Sequence, residues 1–472
     1  MKKINIAFLS IFDLTKVFLK ISERFAKPNL NCFWMTTNDY WTNYLLEEGI
    51  QEERIKQLVY TSKDFVNEEE KEALRKEIVN LEGKVDLNIF QSLIMDRFVL
   101  LNNRKDIDEF VYLYYRDIKS FLANNKIDLI IGEPTNFNEL MVYMIACSMN
   151  IDVIAPRHMR YPSDRVIFTY GYLQQHLVNL NNKADEEEAG QYLEKFKKER
   201  NAPSYFHLNN KAKILNFAKI AKSLRRRAQQ MKSGSTNHLT YHPLFDRIKL
   251  NLRKLVYSVV LDKVFRYEKI ENIKSKIAYY GIHVQPEASI DVYASFFNDQ
   301  LKLIKDIRRS LPFDFTLIVK EHPNGLGAKG LSLYRQIKKI PGVRLIKHNN
   351  SSFEIYEKCD LVFTVSGTAA YEAGMIGVPA IMFSPLYFNQ LSMIRYCNDI
   401  SKLKEIILEL ITADIDIEKD QLVIKNLFAN SAKGYWTDPY SDSGVLKNDN
   451  LQKLTSAFEM AISSVCKPYN QA

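Results

Sequence analysis

Asp360-Leu-Val-Phe-Thr-Val-Ser366-Gly367-Thr368-Ala369-Ala370-Tyr371-Glu372-Ala373-Gly374-Met-Ile-Gly377-Val-Pro-Ala-Ile-Met-Phe383 is the stretch that decides the fold. Its first residues are apolar and β-branched with no polar alternation, as in a parallel strand covered on both faces. A turn of small residues follows, then a short helical pattern ending at Gly377, then a second apolar run. Strand, turn, helix and strand in that order form a βαβ unit. The turn sets free backbone N–H groups at a helix N-terminus, which favours a phosphate. Glu372 falls one turn further in, within reach of a sugar hydroxyl. Taken alone, the stretch reads equally well as a crossover whose small residues only ease packing.

The same alternation extends upstream. Ile277–Ile282 is strand-like and runs into His283-Val-Gln285-Pro286-Glu287-Ala-Ser289. A helix is predicted from about Val292 to Arg309, with Phe297, Leu301, Ile304 and Ile307 on its buried side. Phe315–Val319 is the next strand and ends in Lys320-Glu321-His322-Pro323-Asn324-Gly325. Leu331–Ile340 predicts a helix and Val343–Ile346 a strand. Asn349 to Ser352 offers an N-cap to a helix over Phe353–Lys358. Three strands thus end in polar turns bearing Gly or Pro, and all three turns are expected on one edge of one sheet. That convergence favours a ligand site over three separate packing solutions.

The first 180 residues alternate as well. Strands are predicted at Ile4–Leu9, Asn31–Met35, Ile55–Tyr60, Ile127–Ile131 and Asp152–Ala155. Helices are predicted at Leu14–Phe25, Asn67–Lys84, Ile89–Leu101, Ile107–Leu122 and Asn138–Met149. This is the pattern of a doubly wound parallel sheet, whose ligands sit beyond the carboxyl ends of the strands. Glu133 occupies such a position, and Arg157, His158 and Arg160 follow another strand. A carboxylate favouring the adjacent helix dipole is the bland account of Glu133.

From Asp185 to Lys276 the alternation stops. Between Asn201 and Lys276, seventeen Lys/Arg face four Asp/Glu, a local balance of about +13 in a chain of net charge +9. Ile214, Phe217, Ile220 and Leu224 recur at helical spacing among lysines, as in an amphipathic helix on an anionic membrane surface. A helix packed on its own domain has the same pattern. Few aromatics interleave the basic residues, which argues against nucleic acid as partner.

At 472 residues the chain is expected to hold two or three domains. The predicted division is an N-terminal domain over 1–200, a basic helical insertion over 201–275, a C-terminal domain over 276–415, and a tail with a closing helix over 416–472. The five cysteines show no metal-ligand spacing, which predicts reduced thiols in a cytoplasmic protein. No apolar run approaches the ~18 residues needed to span a bilayer. Asp13 and Lys16 interrupt the apolar N-terminal run, so a first strand is favoured over a signal peptide. No P-loop, Gly-x-Gly-x-x-Gly, zinc spacing or nucleophile elbow occurs. Asp-x-Asp appears at Asp106–Asp108 and Asp414–Asp416, in helix-like charged stretches rather than at strand ends, which argues against a metal-dependent site.

Three motifs carry a resemblance: His283 to Glu287, Lys320 to Pro323, and Ser366 to Ala373. In this order they resemble the capsule and lipopolysaccharide polysaccharide biosynthesis family of GT-B glycosyltransferases. The resemblance is strong over about Ile277–Phe383 and weak before residue 200, apart from Asp96-Arg97 and Gly132-Glu133-Pro134. It implies an α/β chain with two Rossmann-like domains facing a central cleft. It also implies a nucleotide-sugar donor, best a CMP-linked Kdo or nonulosonic acid, as in Kdo transferases and sialyltransferases that carry a His-Pro motif. The acceptor implied is a bacterial surface glycan, lipid-linked, with the enzyme peripheral on the inner face of the cytoplasmic membrane. UDP-sugar transferases and UDP-sugar 2-epimerases share the architecture, and a non-catalytic capsule assembly or export partner is a third alternative.

The resemblance further implies a role for each residue. Metal-independent transfer needs donors for charge developing on the departing phosphate. His322 and the Ser366-Gly367-Thr368 turn are expected there, with Pro323 lining the donor site and no cofactor or essential metal; Lys320 either adds positive charge or is a solvated strand end. Glu372 is expected on the ribose, and His283, Gln285 and Glu287 on the donor sugar or nucleotide. Glu321 is expected to orient His322 or close an ion pair. Arg157, His158 and Arg160 are expected on the acceptor side. An inverting reaction also needs a base within ~3 Å of the acceptor hydroxyl. Glu133 is the first choice, followed by Asp13 and Asp96.

Overall fold

A computed structural model describes residues 3–60, 62–96, 99, 106–182, 186–199, 252, 256, 260, 266–326 and 329–466. The chain forms two compact α/β units. The described residues of 1–183 and 429–472 belong to the first, and those of 184–201 and 243–428 to the second. Nearly all of the basic insertion predicted over 201–275 lies outside the described residues. No helix among the described residues is long and apolar enough to cross a membrane.

The first unit holds a seven-stranded sheet. Its strands are β1 (Ile4–Ser10), β2 (Leu30–Thr36), β3 (Ile55–Gln57), β4 (Leu129–Ile131), β5 (Asp152–His158), β6 (Arg165–Tyr170) and, from the far end of the chain, β13 (Ser431–Lys433). The spatial order is β13-β6-β5-β4-β1-β2-β3. β1 to β5 pair in parallel, whereas β6 runs antiparallel to both β5 and β13. The inner strands carry apolar runs, as both-face coverage demands, with Ile6, Phe8, Leu129 and Ile131 fully buried. The order reverses between β1 and β4, and there Gly132 is obligatory. A Cβ on it would lie 2.4 Å from Leu9 Cβ.

The second unit holds β7 (Lys276–Ile282), β8 (Phe315–Glu321), β9 (Val343–Ile346), β10 (Leu361–Thr364), β11 (Ala380–Met382) and β12 (Ile394–Tyr396). All are parallel, in the order β12-β11-β10-β7-β8-β9. Numbered within the unit this is 6-5-4-1-2-3, the Rossmann order, with its switch point between β7 and β10. Helices Gln300–Ser310 and Leu331–Lys338 cover the sheet through Leu303, Ile304, Ile307, Tyr334 and Ile337.

Three expectations need correction. The single helix predicted over Val292 to Arg309 is broken into a short helix at Ala288–Asp291, a 3-10 turn at Ser295–Phe297 and helix Gln300–Ser310. Asp299 starts the last of these by accepting from Lys302 N at 3.0 Å, and Phe297 packs separately on Phe383. The first domain does not reach residue 200. Helix Glu186–Glu199 packs in the second unit, through Tyr192 on Phe428 and Phe196 on Phe353. Nor is 416–472 a separate tail. Helix Ile417–Ala429 lies mostly in the second unit, while β13 and helix Asn448–Val465 complete the first. There Phe458 packs edge-on against Phe168, and Trp436 packs on Phe18.

Candidate functional site

In the second unit the three polar turns emerge from the adjacent strands β10, β7 and β8, all at the carboxyl edge. This is the placement expected from the sequence. They are also joined to one another. His283, just past β7, brings its Nε2 to 3.1 Å from Thr364 Oγ1, at the end of β10. The N–H of Val365 donates to the same Nε2 at 3.0 Å, so this nitrogen is an acceptor and the neutral ring carries its proton on Nδ1. Thr364 Oγ1 in turn accepts from Gly367 N at 3.0 Å. Ser366 donates its hydroxyl to Ser289 O, a second tie between the third and first turns.

Gly367 is the N-cap of helix Thr368–Met375. A Cβ there would lie 2.6 Å from Thr364 Oγ1 and 3.3 Å from His283 Cε1, so only glycine fits. Beyond it, the first-turn N–H groups and the positive end of the helix dipole converge at the edge of the sheet. Gly377 ends the crossover with φ +84°, a conformation glycine adopts readily.

The other residues named from sequence divide into two groups. Gln285 is wholly engaged in structure. Its Oε1 accepts from Gln300 Nε2 at 2.6 Å, and its Nε2 donates to Asp291 Oδ1 and Asn298 O, each at 3.0 Å. These bonds give it a linking role between helix Gln300–Ser310 and the first turn. Glu321 is buried and accepts from His322 N at 2.8 Å and from the Tyr334 hydroxyl, with Lys329 3.7 Å away. Burial raises its carboxyl above the usual range. It both orients the His322 backbone and closes an ion pair. His322 and Glu287 remain partly or fully exposed at the same edge, and Pro323 opens the 3-10 turn Pro323–Gly325.

Lys320 is buried, donates to Asn350 O at 3.0 Å and Ser352 Oγ at 3.1 Å, and lies over the Tyr279 ring. Burial pushes its ammonium down to about 8, partly offset by the charge of Glu372. Glu372 is 5% exposed and accepts from the Tyr356 hydroxyl at 3.0 Å. Lys320 is thus an interior cation near an interior carboxylate, not a solvated strand end.

In the first unit, Glu133 follows β4 and binds with both oxygens. Arg157 Nη1 donates to Oε2 at 2.9 Å, and the Trp436 indole donates to Oε1 at 3.1 Å. The helix it precedes is capped by others: Asn136 and Glu139 form a capping box, and Asp96 Oδ2 accepts from Phe137 N at 2.6 Å. Asp96 Oδ1 accepts from Val99 N, so this buried carboxylate ties two segments together. These bonds give Glu133 and Asp96 anchoring roles in the first unit. Asp13 follows β1 and heads helix Leu14–Ser22, with Lys16 Nζ 3.5 Å away and Phe12 before it at φ +50°.

His158 is held on both sides. Nε2 donates to Ser163 O at 2.9 Å, and Nδ1 accepts from Arg160 N at 3.0 Å. Burial lowers its pKa to about 4, so the ring is a neutral brace of the 158–163 loop. Arg160 sits at φ +71° and donates to Gln174 Oε1 at 3.4 Å.

Sequence reasoning missed Thr364 and Gln300. Both are buried polar residues in otherwise apolar or helical patterns, and their partners lie far along the chain. No group of three or more His, Cys, Asp or Glu among the described residues is placed to hold a metal ion.

No family model matches the chain, and no curated protein matches it. Several solved structures are similar. One is the β-Kdo 2,7 transferase of Thermosulfurimonas dismutans KpsC, at 14% identity and TM-score 0.32 over 72% of this chain and 90% of that one. The β-Kdo 2,4 transferase of the same KpsC gives 10% identity and TM-score 0.34 over 71% and 87%. UDP-GlcNAc 2-epimerase from Methanocaldococcus jannaschii gives 11% and 0.25 over 89% and 98%. With identity and superposition both this low, the chemistry has to be read from the site itself.

Proposed function

We propose that this chain is a GT-B-type glycosyltransferase that takes its sugar from a nucleotide-sugar donor. One observation carries the reading. Three polar turns meet at the switch point of a Rossmann-ordered sheet, beside the N-terminus of helix Thr368–Met375. Open α/β sheets bind ligands at such points, and helix N-termini favour phosphate. The Gly367-Thr368 turn holds the departing phosphate, His322 adds a side-chain donor, and Lys320 contributes positive charge from the interior. Glu372 reaches the ribose and Glu287 the sugar side.

The donor we favour is a CMP-linked 2-keto sugar acid, Kdo or a nonulosonic acid, on the strength of the His-Pro and Ser-Gly-Thr motifs. The acceptor is a surface glycan, lipid-linked, and is handled by the first unit. Asp13 takes the base role there, because it follows the strand that adjoins β4 at that unit's switch point. Residues 201–276 hold the enzyme to anionic lipid at the inner face of the cytoplasmic membrane. No metal is required.

The test is to incubate the chain with CMP- and UDP-linked sugars and follow nucleotide release and sugar configuration by NMR. Release of CMP is expected. Epimerised UDP-sugar without acceptor would replace the proposal with an isomerase. Absence of both turnover and nucleotide-induced thermal stabilisation would leave a non-catalytic partner.

A further inference from the structure

Beyond the end of β7, Gln300 does for His283 what a neighbouring strand would do. Its Oε1 accepts from His283 N at 2.6 Å, and its Nε2 donates to His283 O at 3.1 Å. A backbone N–H can only donate and a carbonyl only accept, so these partners fix the orientation of the amide. Oε1 also accepts from the Tyr280 hydroxyl at 3.2 Å, and Nε2 also donates to Gln285 Oε1 at 2.6 Å. The side chain making these four bonds is 3% exposed. From Gln285 the chain of bonds continues to Asp291, whose Oδ2 accepts from Glu287 N at 2.9 Å. Lys329 Nζ gives the His283 carbonyl a second donor.

The position of this network gives it a function. Pairing between β7 and β10 ends at Tyr280 and Phe363. Past that pair, the His283 ring is what reaches Val365 N and Thr364 Oγ1, and Thr364 Oγ1 receives Gly367 N. One amide at the start of helix Gln300–Ser310 thereby sets the backbone of the first turn, and through the imidazole sets the third. We infer that Gln300 is a positioning residue of the donor site, holding His283 so that the Gly367 turn is formed before a nucleotide arrives. This rests on the nucleotide-sugar reading above.

The direct readout is the pair of imidazole nitrogens of His283, followed by 15N NMR on the full chain. In the wild type one neutral tautomer is expected, protonated at Nδ1. Gln300→Leu should move these signals towards tautomer averaging and weaken CMP or UDP binding at least tenfold in calorimetry. Gln300→Glu keeps the acceptor but lacks the donor. It serves if the leucine variant does not fold, with the same expectation. Ile304→Ala removes core volume on the same helix; it should lower Tm yet leave both the His283 signals and nucleotide affinity unchanged. Unaltered His283 signals in folded Gln300 variants would overturn the role, as would an equal loss of affinity in Ile304→Ala. Failure of both Gln300 variants to fold would reduce the residue to stability and overturn it as well. A wild type that binds neither nucleotide would overturn the functional reading alone, because the His283 signals report on Gln300 without ligand.

Discussion

His283 Nε2 lies 3.1 Å from Thr364 Oγ1, across the point where β7 and β10 part. The threonine hydroxyl therefore serves two turns at once, since it also accepts from Gly367 N. Thr364→Val keeps the shape and removes the hydroxyl, leaving the half-buried Gly367 N–H without its acceptor and His283 Nε2 with Val365 N as its remaining donor. The expected cost is about 1–3 kcal/mol of stability. It should appear as a lower urea midpoint with an unchanged slope, together with weaker nucleotide binding.

Gly367→Ala tests the same corner by crowding. The new methyl would lie 2.6 Å from Thr364 Oγ1, an atom already held by two hydrogen bonds. Relief requires moving the helix N-terminus or displacing the His283 ring. Nucleotide affinity is expected to fall by more than tenfold while the sheet remains folded. Wild-type affinity in calorimetry, with unchanged near-UV circular dichroism, would show that the turn is not the phosphate site.

The buried ammonium of Lys320 predicts a pH dependence. Its pKa falls from 10.5 to about 8, chiefly through burial. Between those values the unfolded chain holds a proton that the folded chain has released, so stability rises with pH across that window. The gap corresponds to roughly 3 kcal/mol. Below pH 8 the folded state carries the full cost of the buried charge. Lys320→Met should flatten this rise, measured as the difference in unfolding free energy between wild type and variant from pH 8 to 10.5.

His158 gives the complementary acid limb. Burial, with a smaller contribution from Arg160, holds its pKa at about 4, against the opposing pull of Ser163 O and Asp164. The unfolded chain takes up a proton near 6.5 that the folded chain refuses, so stability falls as pH drops from 6.5 to 4. The loss approaches roughly 3 kcal/mol at the acid end. His158→Gln should remove this component, and chemical denaturation at pH 7 and pH 4.5 would show a smaller difference in the variant.

What the sequence disclosed follows from the range of the forces involved. The strand at Val343–Ile346 and the three turns were legible because apolar runs and Gly or Pro breaks are local signals. β13 was not: Ser431-Ala432-Lys433 has no strand character of its own and pairs only because Val166 and its neighbours offer a ladder. β12, three residues long, is too short for periodicity to register. The same holds at the site. Gly367 and His283 stand in recognisable turns, whereas Thr364 reads as one more β-branched strand residue and Gln300 as an exposed polar residue on a helix. Both roles come from hydrogen bonds to His283, 17 residues from Gln300 and 81 from Thr364. Glu133 shows the converse case. Its place after a strand suggested chemistry, and its partners, Arg157 and Trp436, are invisible to any local pattern.

Those partners make Glu133 the sharpest separation of structure from catalysis. Arg157 is buried, and Glu133 supplies the carboxylate at 2.9 Å that compensates its charge. The other carboxylate oxygen receives the Trp436 indole, joining residues 303 positions apart. Glu133→Gln keeps an acceptor for the indole but removes the negative charge facing Arg157. Because Glu133 is partly solvated, the expected loss is about 1–3 kcal/mol, below that of a fully buried pair. A carboxylate acting only as a base would lose turnover on this change with stability held or improved. Urea unfolding followed by Trp fluorescence, alongside nucleotide release at saturating donor, separates the two. The anchoring role predicts a lower midpoint with turnover per folded molecule retained, and Asp13→Asn predicts the opposite pair of outcomes.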